Sequence, residues 1–183
     1  MLQPKHITEY FINNFLCVGD IAIDATAGNG NDTLKLCNAV GESGKVFAFD
    51  IQQIALDNTK KLLDANGITN ANLIKDSHSE LDKYIGEPVK AVIFNLGYLP
   101  GGDHSLHTKC ETTTIAIEKA LSLLADDGFV AVTIYYGKDS GTAEKDGVMA
   151  YLKNIDCGKY TVTVHDFYNR PNCPPITAVI TKN

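Results

Sequence analysis

The sequence predicts a doubly wound α/β fold, in which helices flank a mostly parallel sheet of about seven strands and an antiparallel hairpin closes the chain. Three observations carry this reading. Short apolar runs alternate with longer amphipathic stretches over most of the chain. Val46-Phe47-Ala48-Phe49 is continuously apolar, as a strand buried on both faces should be. The last two strand candidates are separated only by residues 169–175, with Pro171, Pro174 and Pro175, and two strands joined without a helix pair antiparallel.

The elements follow in order. Ile7, Tyr10, Phe11, Phe15 and Leu16 recur at helical spacing and predict an opening helix over 4–17. Residues 21–25 read as the first strand and 32–40 as the helix after it. The second strand covers 45–50, and the helix over 52–66 stops at Gly67, a good residue just past a helix end. Strands at 71–76 and 89–95 precede a long helix over 108–125, halted by Asp126-Asp127-Gly128. A fifth strand spans 129–135 and a further helix 141–156. Tyr160–Val164 alternates Thr161 and Thr163 with Val162 and Val164, which suits a strand open on one face, and 176–181 ends the sheet.

Length and composition bound the function. The 183 residues correspond, at ~100–200 per domain, to one domain over 1–183, with 1–19 as an N-terminal helix packed on it. Sixteen basic against 22 acidic side chains leave a net charge of −6, and Arg170 is the sole arginine. A protein that coats nucleic acid neutralises phosphates with many cations, so an anionic partner must be met by a local patch. Five scattered cysteines, Cys17, Cys37, Cys110, Cys157 and Cys173, form no C-x-x-C pair. They read as small buried apolar residues in a reducing compartment, not as disulfides or a zinc site. Glu9 interrupts the only apolar stretch near the N-terminus, which is no signal peptide, and no run approaches the ~20 apolar residues of a membrane span. The expectation is a cytoplasmic protein with no membrane partner and no metal.

In open α/β sheets ligands bind beyond the carboxyl ends of the strands, where strand order reverses, so the residues after each strand matter most. The first strand runs into Asp24-Ala25-Thr26-Ala27-Gly28-Asn29-Gly30-Asn31-Asp32-Thr33. Gly28 and Gly30 allow a tight turn and a close backbone approach, or serve a purely structural turn. The G-x-G-x-x-G dinucleotide pattern fails at Thr33, and Asp32 at the helix start would repel a pyrophosphate. A zwitterionic or cationic ligand tolerates that acid better. Asp24 can hold the glycine loop or accept from an ammonium group. Asp50 suits ribose hydroxyls or caps the following helix. Asp76 can accept from an adenine amino group, Ser77 can equally cap a helix, and His78 reads as a surface or capping histidine. Thr26, Asn29, Asp32, Ile51 and, at the end of the fourth strand, Asn95 complete the candidate cofactor set.

The fourth strand ends in Asn95-Leu96-Gly97-Tyr98-Leu99-Pro100-Gly101-Gly102-Asp103. This is similar to the Asn/Asp-Pro-Pro-Tyr loop of methyltransferases that act on planar exocyclic amines, with Asn95 and Tyr98 at the same spacing; a structural turn with a core tyrosine is the alternative. His104, His107 and Lys109 follow in the same loop, and Tyr135-Tyr136-Gly137-Lys138 follows the fifth strand. With Arg170 they form the cationic and aromatic rim available to an RNA substrate.

Taken together, the Asp24-Ala-Thr-Ala-Gly-Asn-Gly segment, the Asn95-to-Asp103 run, the Tyr135-Tyr136-Gly137 turn and the Asn172-Cys173-Pro174-Pro175 loop resemble the MnmM-type methyltransferases, long labelled rRNA methylases. The resemblance covers nearly the whole chain in order. It implies a class I, Rossmann-like fold that uses S-adenosyl-L-methionine and releases S-adenosyl-L-homocysteine. The implied activity is N-methylation of 5-aminomethyl-(2-thio)uridine at the tRNA wobble position. The chain departs from that pattern at Asn31, where histidine is expected, at Lys138 and Ser140-Gly141, where the pattern has histidine and glycines, and at Arg170-Pro171-Asn172-Cys173, which is less polar.

On this reading Asn95, Tyr98 and Asp103 carry the chemistry. The Asn95 amide oxygen and the Leu96 carbonyl orient the neutral amine, Tyr98 stacks on the uracil, and Asp103 receives the proton in competition with His104. Gly97, His107, Tyr135, Lys138 and Arg170 face the RNA. The expected partner is a tRNA anticodon stem-loop, with a second copy of the chain helping to span it. Rival readings are methylation of rRNA or of a small amine, a non-catalytic nucleotide- or RNA-binding module, and a nicotinamide dehydrogenase, which Thr33 disfavours.

Overall fold

The computed structural model describes residues 3–101, 106–137 and 141–183. Seven strands form one sheet: β1 (Ile21–Asp24), β2 (Lys45–Phe49), β3 (Ala71–Ile74), β4 (Val89–Leu96), β5 (Leu124–Ile134), β6 (Tyr160–His165) and β7 (Ile176–Lys182). Their spatial order is β3-β2-β1-β4-β5-β7-β6. The first five are mutually parallel, and β7 runs antiparallel to both β5 and β6. The order reverses between β1 and β4, which places the predicted ligand crevice above Asp24 and Asn95.

Strand alternation sorts the side chains into two layers. Ala22, Val46, Ala91, Ile93, Phe129, Ala131 and Val179 meet α1 (Pro4–Phe15), α2 (Asn31–Val40) and α3 (Gln53–Ala65) on one face. Ile23, Val92, Phe94, Leu96, Val130 and Val132 meet α4 (Cys110–Leu123) and α5 (Thr142–Lys153) on the other. Because neighbours along a strand point to opposite faces, Asp24 and Asn95 both lie on the α2 face, one residue above Ile23 and Phe94. The opening helix packs on this layer through aromatic rings, with Phe11 5.5 Å and Phe15 6.1 Å from the ring of the fully buried Phe129.

The structure corrects several expected boundaries. The third crossover, where no helix is expected, contains a 3-10 helix, His78–Lys83, in the short segment that ends at Gly86 and Pro88. The Asp126-Asp127-Gly128 stop lies inside β5, which starts directly after α4; the register with β4 shifts between Val89 and Ala91 to absorb the extra residues. Gly128 is required there, since a Cβ would lie 2.9 Å from both Leu124 Cδ1 and the Lys90 carbonyl. The cysteines are free, but only Cys37 is buried. Cys17, Cys157 and Cys173 fall in exposed connections, and Cys110, at the start of α4, is half-buried against the core, so small size alone did not carry them all inside.

Truncating the ring on which α1 rests should create a cavity no neighbour can fill. Phe129→Ala is expected to lower the unfolding free energy by about 3–5 kcal/mol, measured by urea denaturation.

Candidate active site

Strand β1, at the reversal of strand order, ends in a carboxyl group shut off from water. Asp24 is 1 % exposed. One of its oxygens accepts from the Thr26 backbone N–H (3.1 Å), the other from the Thr33 hydroxyl (2.6 Å). Of the two roles open to it, holding the loop is the one its geometry serves. Thr33, where the dinucleotide pattern wants a third glycine, is buried and supplies the donor that closes this tie. Burial, then the nearby Asp32 charge, pushes the Asp24 carboxyl up to about 7.

The loop above it is drawn in from both sides. Asp50 Oδ2 accepts from Gly28 N–H at 3.0 Å and Oδ1 from Gln52 N–H at 2.9 Å, so one carboxylate joins the glycine loop to the start of α3. Burial raises its proton affinity against these backbone bonds. Thr59 of α3 donates to the Gly28 carbonyl (3.1 Å). Gly30, at φ +82°, has room only for hydrogen, because a Cβ would stand 2.8 Å from Thr59 Cα. Asn29 accepts from Asn58 at 3.1 Å, and Ile51 lies exposed beside Asp50.

After β3, Asp76 accepts from Ser77 N–H and the Tyr84 hydroxyl, both at 2.7 Å, and these bonds hold its carboxyl below the usual range. Ser77 caps the 3-10 helix. His78 is not the surface histidine the sequence suggested. It is 9 % exposed, packs edge-on against Phe94, and places Nδ1 3.3 Å from the Ala25 carbonyl, while Nε2 has no partner among the described residues. Burial lowers its proton affinity, which keeps the ring neutral. The alternation of the 3-10 turn, invisible to helical periodicity, turns it inward.

The end of β4 is the centre of the crevice. Asn95 N–H donates to the Thr26 hydroxyl (2.8 Å), tying β4 to the glycine loop, and its Nδ2 donates to Asp32 Oδ2 (2.9 Å). Asp32, expected to face a cofactor, thus turns toward the strand end; its other oxygen takes Lys35 at 2.8 Å. Leu96 sends its side chain into the core and its carbonyl accepts the Tyr135 N–H at 3.0 Å, so one lone pair of the proposed amine acceptor is spent within the sheet. Gly97 adopts φ +151°, a backbone region that side-chain-bearing residues rarely enter, and a Cβ there would meet Tyr135 Cβ at an ordinary contact distance of 3.4 Å. Tyr98 and Tyr135 are each 46 % exposed at this mouth, and Tyr98 bridges to His107 as a short antiparallel pair.

Sequence reading missed the group that holds this loop. Glu144 of α5 is buried and accepts from Thr108 (2.8 Å) and Thr113 (3.2 Å), while Thr108 Oγ1 accepts from Gly97 N–H (2.9 Å) and Thr108 N–H returns a bond to the Gly97 carbonyl (3.0 Å). Burial raises the Glu144 carboxyl above its ordinary range. In sequence it reads as a helix first-turn acid, a common surface position. Arg170 rests its guanidinium 4.1 Å from the Phe167 ring centre in the β6–β7 loop, on the same rim as the C-terminal end of β5. Asp103, His104 and Lys138 lie outside the described residues. Among the described residues, no three His, Cys, Asp or Glu side chains gather where they could hold a metal ion, and no helix is long and apolar enough to cross a membrane.

A seven-stranded sheet in this order, with a glycine loop and acids over β1 and β2 and an amide-aromatic loop over β4, defines the Rossmann-like methyltransferase fold. The family model described as "Putative rRNA methylase" matches residues 46–181, and the chain belongs to that family. A solved "putative rRNA-methylase" from Clostridium thermocellum is 48 % identical with TM-score 0.98, covering 100 % of this chain and 99 % of its own. A "putative methyltransferase" from Streptococcus mutans, solved in complex with SAH, is 40 % identical with TM-score 0.92 over 100 % and 99 %. In Arabidopsis thaliana, the protein named "tRNA (mnm(5)s(2)U34)-methyltransferase, chloroplastic" is 36 % identical over 167 residues. That alignment takes in 85 % of this chain and 61 % of the plant protein, so the chain spans about three fifths of that relative's length.

The raised Asp24 carboxyl has a stability consequence. Folded Asp24 keeps its proton up to about 7, whereas the unfolded side chain, at its ordinary 3.8, has lost it. The native state therefore binds more protons between these values, and stability falls as pH rises through that window. Asp24→Asn, which cannot ionise, should gain stability relative to the wild type between pH 4 and pH 7, read as a shrinking difference in urea midpoints.

Proposed function

We propose that this chain is an S-adenosyl-L-methionine-dependent N-methyltransferase that converts 5-aminomethyl-(2-thio)uridine at the tRNA wobble position to its 5-methylaminomethyl form. The carrying observation is the Asn95 amide at the strand reversal, with the half-exposed Tyr98 and Tyr135 in the segments that follow β4 and β5. A planar base between aromatic side chains, with its exocyclic amine on an amide oxygen, fits that mouth. The name of the plant relative supports the same substrate.

The donor set suits the cofactor. Asp50, Asp76 and Asn29 offer acceptors to a ribose diol and an adenine amine, Ile51 offers an apolar surface beside them, and Lys35 is already spent on Asp32 and Glu9. Such a crevice favours a sulfonium and an ammonium over a pyrophosphate. S-adenosyl-L-methionine supplies a methyl group already activated for displacement, and S-adenosyl-L-homocysteine is left. The task of the protein is then alignment, worth roughly 7–11 kcal/mol when the attack geometry is met. The Asn95 Oδ1 accepts an N–H of the neutral amine and aims its lone pair. Tyr98 and Tyr135 hold the ring plane. Asp103, with His104 as the competitor, draws off the proton of the ammonium form.

The same proposal extends to the anticodon stem-loop as the RNA element held, since one splayed base and a few phosphates are all that His107, Arg170 and, from the sequence, Lys138 can meet. A second copy of the chain is the further partner, supplying the length that 183 residues lack on a stem-loop. The free cysteines support a reducing location, the cytoplasm.

Incubation with methyl-labelled cofactor tests the reading. Label should enter the wobble nucleoside of 5-aminomethylated tRNA and not unmodified tRNA; label in rRNA instead, or in neither, overturns it. Asn95→Ala should lower kcat on the order of a hundredfold while the cofactor Kd, by calorimetry, changes by no more than about threefold.

A further inference from the structure

A side-chain amide can meet an incoming amine with its oxygen or with its NH2 group, and half a turn about one bond exchanges them. Only the oxygen accepts an N–H. A site built on one asparagine therefore needs something that decides which end faces outward.

At Asn95 that decision has a visible cause. Its Nδ2 lies 2.9 Å from Asp32 Oδ2, and an ionised carboxylate can accept but never donate. The NH2 end must point at Asp32, and Oδ1 must point away from it. The carboxylate is itself prevented from turning: Oδ1 is held by Lys35 Nζ at 2.8 Å, and the same ammonium reaches Glu9 of α1 at 3.0 Å. Asp32 also sits in the first turn of α2, beside the positive end of the helix dipole. The backbone of Asn95 is fixed independently through Thr26. The backbone N–H and the NH2 end of Asn95 are thereby each held by a named contact, and the chain of contacts runs from the N-terminal helix to the end of β4.

We propose that Asp32 is a positioning residue for methyl transfer: through its bond to Nδ2 it locks the Asn95 amide with the oxygen toward the substrate amine, and Lys35 and Glu9 hold it in that pose. This rests on the reading of Asn95 as the amine acceptor. It differs from a cofactor-binding role for Asp32, which would act on affinity for the cofactor and not on turnover.

Three measurements decide it. Asp32→Asn keeps the shape but offers both a donor and an acceptor, so the Asn95 amide can dock either way round. Its kcat on 5-aminomethylated tRNA should fall on the order of ten- to a hundredfold, with KM for tRNA and Kd for S-adenosyl-L-methionine within about twofold of wild type. The double variant Asp32→Asn/Asn95→Asp reverses the bond: the introduced amide donates, the introduced carboxylate accepts and again shows an oxygen outward. It should recover several-fold of the activity lost in Asp32→Asn. Unchanged kcat in Asp32→Asn, a loss of cofactor affinity that accounts for the fall in kcat, or a double variant no better than the single one would overturn the proposal. The lock is also measurable without turnover, from the NMR side-chain amide signals of Asn95. Slow exchange in the wild type that is lost in Asp32→Asn supports it, and equal exchange in both refutes it. A wild type inactive on aminomethylated tRNA would instead remove the substrate reading and leave this measurement standing.

Discussion

A carboxyl group at the end of β1, out of reach of water, has to be satisfied by the protein around it, and the crevice is built outward from that requirement. Asp24 takes one bond from the loop that follows it and one from the first turn of α2. Those two bonds set the path of the glycine loop. Thr26 then lies where its hydroxyl receives the Asn95 N–H, so the strand on the other side of the reversal is registered against the same loop. Leaving such a group unpaired would cost several times what a single bond gains, which makes the arrangement all-or-none.

Around this centre, carboxylates act more as carpenters than as ligands. Asp50 joins the glycine loop to α3, Asp32 joins α2 to β4, Asp76 joins the end of β3 to Tyr84, and Glu144 holds the β4 loop through two threonines. A net charge of −6 on a protein read as RNA-modifying is less surprising in that light. Acids clustered over the strand ends shape loops, and on the proposed function contact with RNA would be left to rim loops carrying Arg170 and the aromatic side chains. Of the departures, Arg170 falls in the β6–β7 loop, whereas Asn31 starts α2 between Gly30 and Asp32, next to the ties that build the crevice.

Most of the fold was readable in the sequence because its signals are local. The apolar run 46–49 announces a doubly covered strand, Gly67 a helix end, and the proline-rich stretch a hairpin too short for a crossover. The misread places are those where local signals conflict with long-range pairing. Asp126-Asp127-Gly128 reads as a stop, yet pairing with β4 draws it into β5 as a bulge. His78 reads as surface because a 3-10 turn carries no helical stripe, yet the turn carries it into the layer beside Phe94.

By itself the sequence determined the strand-helix alternation, the two loops over the strand ends, and the residue types at the crevice, since each depends on periodicity or on a short motif. What only the tertiary structure decided is which of those residues touch. Asn95 and Asp32 are 63 positions apart, Thr108 and Glu144 36 apart, and Asp24 could as well have faced a ligand as the inside of its own loop. Contacts of that range are chosen by the sheet order and by the face on which each side chain emerges, and neither is written in the spacing of a single chain segment.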